Sequence, residues 1–270
     1  MPTLEICCYG LDCALAATQA GADRLELCAA PQEGGLTSSL GTLREVRSQI
    51  HIPVHPIVRP RSGDFCYSDQ EFRIMLSDIA QIRDMGFPGV VTGILCPEGL
   101  LDKTRMQKVM TVAKGMAVTF HRAFDLCSNP YRTYHELAEL SVARILTSGQ
   151  QQSAEAGISL LQELNALGRG PIIMAGAGVR LSNLPKFLEA GIKEIHSSAS
   201  RQVPSAMRYC KAGVSMCSDK LADEYLRTAV DPDVVEAMQT MICLHRSGLP
   251  GGPVDERPSY LHPLSGLTGN

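Results

Sequence analysis

At 270 residues and 44% hydrophobic content, the chain can bury a sizeable core and suits one large α/β domain or two modest ones. A formal charge of -3, with acids and bases intermixed, offers no basic stripe, so neither nucleic acid nor a membrane surface is an expected partner. No apolar run approaches the roughly 20 residues of a membrane helix, and the start, MPTLEICCYG, lacks the regions of a signal peptide, so the expected location is cytoplasmic.

Short apolar, β-branched segments recur along the chain with longer helical patterns between them: LEICC (4–8), RLELC (24–28), PVHPIV (53–58), GVVTGIL (89–95), AVTFH (117–121), RILTS (144–148), PIIMA (171–175) and EIHSS (194–198). Gly21, Gly86 and Gly191 stand where glycine caps would end helices before the next strand. Asp12, the Ser68 to Glu71 capping box and Asn129 before Pro130 are helix starts. Eight strand-helix repeats match a single (β/α)8 TIM barrel, expected over residues 1–245. The main competitor, a doubly wound open sheet, lacks its glycine fingerprint, because the first strand runs into Tyr9 and Gly10. Asp231 and Pro232 then open a C-terminal helix, and the Gly/Pro-rich stretch 246–270 reads as a mobile tail or an arm docking on a neighbour.

In a parallel barrel the outer strand face packs on helices, so a polar residue in mid-strand points inward or into the mouth. Leu4, Ile6, Leu25 and Leu27 therefore go outward, and Glu5, Cys7, Glu26 and Cys28 go inward. Thr119, His121, Glu194, His196 and Ser198 also face in, with Arg59 at the top of the third strand. Buried carboxylates need partners, and Arg24, Arg59, His121 and His196 are the available ones.

The C-terminal mouth, where barrel sites lie, collects RPRSGDFCYSD (59–69), HRAFD (121–125), TSG (147–149), GAG (176–178) and SAS (198–200). Arg59, Arg61, Arg122, Asp125, Gly176 and Gly178 are the candidate ligand-binding residues for a small acidic or phosphorylated molecule. The catalytic candidates are His121, Arg59, Glu26 and Glu194, although no reaction follows from them.

None of the ten cysteines forms a CxxC pair or a zinc-finger block, and most read as small buried hydrophobes, Cys8 among them. Cys7 and Cys28 end neighbouring strands, about 4.8 Å apart. Two thiolates spanning a metal in a straight line would sit about 4.6 Å apart if the zinc-thiolate length is borrowed. Soft sulfur donors without an obvious third ligand suit Cu(I) better than zinc, with Cys66 a remote extra donor. Barrel shear staggers such residues, and the same closeness also permits a disulfide or simply two buried thiols.

The runs GADRLELCAAPQEGGLT, VRPRSGDFCYSD, TFHRAFD, RILTSG and MAGAGV resemble the CutC copper-homeostasis family, in order from about residue 4 to about 226. The resemblance implies a TIM barrel, a cytosolic homo-oligomer, a link to copper homeostasis, and Cu(I) binding at the two cysteines matching Cys7 and Cys28. It assigns no firm reaction. MAGAGV departs from the family's usual proline followed by glycines, and VHPIVRPR lacks a methionine common before the isoleucine.

Overall fold

The computed structural model describes residues 2–211, 213–214 and 224–246, so all of the stretch expected to form a tail except Arg246 lies outside the described residues. Eight parallel strands alternate with helices: β1 (Thr3–Cys8), α1 (Leu11–Gln19), β2 (Arg24–Leu27), α2 (Leu40–Gln49), β3 (Val54–Pro56), α3 (Asp69–Asp84), β4 (Gly89–Thr92) and α4 (Lys103–Val112) lead. They are followed by β5 (Ala117–Phe120), α5 (Pro130–Glu139), β6 (Arg144–Thr147), α6 (Ile158–Ala166), β7 (Ile172–Ala175), α7 (Leu184–Glu189) and β8 (Glu194–Ser197). β1 pairs with both β2 and β8, and the spatial order runs from β3 through β1 and β8 to β4. The ring closes thinly between β3 and β4, where Ile57 bridges Val91 and the Val58 N–H donates to the Val91 carbonyl at 2.7 Å. The fold is the expected TIM barrel.

An antiparallel hairpin, β9 (Ser200–Pro204) with β10 (Leu226–Val230), stands between β8 and the last helix, α8 (Pro232–Arg246). It was not anticipated. Its strands are mostly exposed and polar, so they carry neither an apolar run nor a clean alternation.

Local signals placed most helix ends. Ser68 and Glu71 form both bonds of a capping box, and Asn129 accepts from the Arg132 N–H with Pro130 in the first turn. Gly21, Gly86 and Gly191 take φ values of 89°, 79° and 75°, the left-handed turn that follows a helix. Asp12 is a correction: α1 is capped by Gly10, and Asp12 sits in the first turn without a capping bond.

The faces segregate as alternation requires. Leu4, Ile6, Cys8, Leu25 and Leu27 are fully buried in the large core between strands and helices. Cys7 and Cys28 belong instead to a small separate cluster inside the barrel with Ile57, Val91 and Tyr9.

Candidate functional site

Charged groups occupy the barrel interior. Arg24 on β2 donates through Nε to Glu5 and through Nη2 to Glu194, and Arg144 at the start of β6 donates to the same Glu194 oxygen at 3.0 Å. Burial alone would raise the Glu5 carboxyl, but the Arg24 charge and the hydrogen bond with His196 outweigh it and hold Glu5 well below the usual carboxylate range. Arg59 and His121, also expected to pair with the glutamates, do not; Arg144 takes that place. His55 on β3 is buried too, and desolvation pulls it down to about 4, so it is neutral. Gly89 makes room for it: a Cβ there would lie 2.4 Å from His55 Nε2.

One step nearer the mouth, four groups meet. His196 Nδ1 lies 2.8 Å from Glu5 Oε1, and its Nε2 lies 3.7 Å from Glu26 Oε2. The Cys7 and Cys28 sulfurs are 3.6 Å apart, and the Cys28 sulfur also lies 3.3 Å from Glu26 Oε2, so its one proton has two acceptors within reach. Donor atoms of Cys7, Glu26 and His196 all lie within 4.8 Å of one another. The register opposes Cys7 to Glu26, not to Cys28, which is the stagger that barrel shear imposes; the side chains still bring the sulfurs together.

The protonation states follow from these contacts. The Cys28 hydrogen bond, opposed by burial and helped by His196, holds the Cys7 thiol well below its ordinary value. Its bond with Cys7 and burial push Cys28 up. Burial and then the Cys7 charge push Glu26 up to about 8. Burial would lower His196, but Glu26, Cys7 and Glu5 outweigh it and raise the imidazole well above its usual range. Because Glu26 is itself pushed up to about 8, Glu5 and Cys7 are the partners that remain to favour the imidazolium form of His196.

Cys7, Glu26 and His196 open into a cavity of about 860 Å³ at the C-terminal mouth, whose walls include Arg59, His121, Arg122 and Gly178. Other sequence candidates lie outside that lining. Arg61 is held within its own loop by Glu71 at 2.6 Å and Asp64 at 3.1 Å. Asp125 accepts from the Ser148 and Gln150 N–H groups at 3.0 and 3.2 Å and so anchors the loop after β6, with Arg122 Nε 2.7 Å away. Gly176 packs beneath Leu146, Glu194 stays with its arginines, and Cys66 is exposed. Sequence reasoning missed Arg144, His55 and Tyr9 as site residues. The first two were signalled by polar groups inside apolar strand runs.

A family model described as the CutC family matches residues 2–201. The chain belongs to the CutC family. A CutC family protein of Sodalis glossinidius is 62% identical over 239 residues, 88% of this chain and 95% of the relative. One from Erwinia tasmaniensis is 62% identical over 242 residues, 90% and 96% of the two chains. Among solved structures, a CutC of Streptococcus agalactiae, whose name assigns it to copper homeostasis, superposes with TM-score 0.70 at 30% identity, covering 73% of this chain and 99% of that one. A phosphoenolpyruvate phosphomutase of Streptomyces platensis shares the barrel fold alone, at TM-score 0.53 and 13% identity over 73% of this chain and 76% of that one. Among the described residues no helix is long and apolar enough to cross a membrane.

Proposed function

We propose that this CutC family member binds Cu(I) in copper homeostasis, with Cys7 and Cys28 as sulfur donors and His196 Nε2 as a third donor. The observation that carries this reading is the 3.6 Å approach of two buried sulfurs beside an imidazole. The distance is about 1 Å shorter than a linear bridge of two bonds of about 2.3 Å needs. It corresponds to an angle of about 100° at the metal for bonds of that length, which leaves room for another donor. Two sulfurs and one imidazole form a soft set suited to Cu(I). The lowered Cys7 thiol reduces the proton cost of binding, whereas Cys28 and His196, both pushed up, hold the protons that a metal would displace. A cytoplasmic location and a homo-oligomeric state accompany the reading. Titration of the reduced protein with Cu(I) against a competing chelator tests it: Cys7→Ser and Cys28→Ser should each weaken binding, and unchanged affinity in both removes the site.

The cavity supports a second reading, because about 860 Å³ suits a small organic ligand far better than a bare ion. On that reading the protein is an enzyme acting on a small acidic metabolite, with Glu5, His196 and Cys7 in hydrogen-bonded series as orienter, acid-base group and nucleophile. Incubation of metal-free protein with a panel of carboxylic and phosphorylated metabolites, read by mass spectrometry, checks it. Turnover retained in Cys7→Ser excludes Cys7 as the nucleophile, and no turnover by the wild type sinks the reading.

A further inference from the structure

Five buried side chains carry a polar atom with no hydrogen-bond partner among the described residues: Ser38, His55, Arg59, Tyr67 and His121. Only two of them, Arg59 and His121, line the cavity. They are 7% and 3% exposed. A buried donor left unpaired is costly, and a native structure that retains two beside one cavity calls for an account of what satisfies them.

The orphan atoms of Arg59 and His121 are both N–H groups. The Ala123 N–H donates to His121 Nδ1 at 3.2 Å, which fixes the tautomer, because an amide can only donate: Nδ1 carries the lone pair and Nε2 carries the proton. Burial, and then the Arg59 charge, pull the imidazole down to about 3, so that tautomer persists through neutral pH. The Arg59 guanidinium is fixed on its other edge. Nη1 donates to the Glu33 and Gly35 carbonyls at 2.6 and 3.1 Å, and Nη2 to the Gly63 carbonyl at 2.9 Å, which leaves Nε–H free. Phe65 holds the two groups together, its ring centroid 4.7 Å from the His121 ring and 5.1 Å from the Arg59 guanidinium carbon. The buried Tyr67 hydroxyl lies beside the same guanidinium, whose charge and hydrogen bonding partly offset the rise that burial imposes on it.

We infer that Arg59 Nε–H and His121 Nε2–H form a subsite for the carboxylate of a small organic acid, reached from the mouth past the half-buried Phe65 ring. Two N–H donors, one of them on a fixed cation, match the two oxygens of a planar carboxylate. They offer too few contacts for the three terminal oxygens of a phosphate monoester. His121 then serves as a neutral hydrogen-bond donor to the ligand oxygen and not as a base, since the nitrogen facing the ligand already holds a proton. The inference deepens the second reading, and rests on it in taking the cavity as a ligand site. It uses none of the proposed copper donors.

Full-length, reduced, metal-free protein labelled with 15N-histidine is titrated with acetate, pyruvate and inorganic phosphate, and the His121 ring nitrogens are followed by NMR. Pyruvate should shift Nε2 saturably with its proton retained, phosphate should bind more weakly, and His121→Gln should weaken pyruvate binding at least tenfold by calorimetry. Arg59→Lys should do the same; because Arg59 also holds three backbone carbonyls, the wild-type His121 signals decide the matter should that variant not fold. The subsite is overturned by no saturable shift of the His121 ring, which would mean an internal water only, by phosphate binding as tightly as pyruvate, or by equal pyruvate affinity in His121→Gln. Binding without turnover would leave the subsite standing and sink the enzyme reading.

Discussion

Replacing Glu26 by Gln should stabilise the protein, and increasingly so as pH rises. Glu26 is 4% exposed and faces Cys7 and Cys28, and its carboxyl is pushed up from 4.5 to about 8 by burial and the Cys7 charge. A group whose folded pKa is raised binds its proton more tightly when folded, so its contribution is intact below the unfolded value and is lost as pH climbs toward the folded one. The gap of about 3.5 pH units, at about 1.4 kcal/mol each, sets an upper limit of about 5 kcal/mol lost between pH 4.5 and 8. By pH 7 some 2.5 of those units have been crossed, or about 3 kcal/mol. Glutamine keeps the shape and polarity of the protonated acid and does not titrate. Urea unfolding of wild type and Glu26→Gln at pH 5, 7 and 8.5 gives the difference directly: near zero at pH 5, and a gain for the variant of a few kcal/mol at pH 8.5. A variant equally stable or less stable than wild type at every pH would refute the assignment of a neutral acid at this position.

Replacing Arg24 by Met leaves Glu5 and Glu194 without their shared partner and should cost about 3 kcal/mol or more at pH 7. Because Glu5 is held well below its unfolded value of 4.5, its contribution is intact above that pH and is lost as pH falls below it toward the folded value, so the deficit should shrink below about pH 4.5 in denaturation curves. Ala177 holds φ 78° in the loop after β7, a conformation that strains any residue with a Cβ, so Ala177→Gly should raise stability by about 1 kcal/mol, read as a higher Tm. Alkylation of Cys7, followed by mass spectrometry, should persist to lower pH than for an ordinary thiol, and both Cys28→Ser and His196→Gln should move its midpoint up as a hydrogen-bond partner is lost.

The barrel was readable because each strand is a short β-branched run bounded by a cap or a turn, and because one polar residue in such a run has only the interior to face. That rule placed Glu5, Cys7, Glu26, Cys28 and His196 inside. Partner choice was not readable, since it depends on register: Glu5 is opposite Arg24 on one side and His196 on the other, while Arg59 stands too near the mouth to reach either glutamate layer. Arg144 and His55 obey the same inward rule and were passed over, so the signal was present. The role of Arg61 lay outside the reach of periodicity, because its five hydrogen bonds all run to its own loop and to Glu71. The hairpin of β9 and β10 had no apolar pattern to betray it.

X-ray absorption at the copper edge of reduced protein loaded with one equivalent of Cu(I) tests the copper reading most directly. Two sulfur scatterers and one lighter donor per copper, falling to one sulfur in Cys28→Ser, is the result expected from Cys7, Cys28 and His196 acting together. A copper bound with no sulfur, or with the same sulfur count in Cys7→Ser and Cys28→Ser as in wild type, would contradict it.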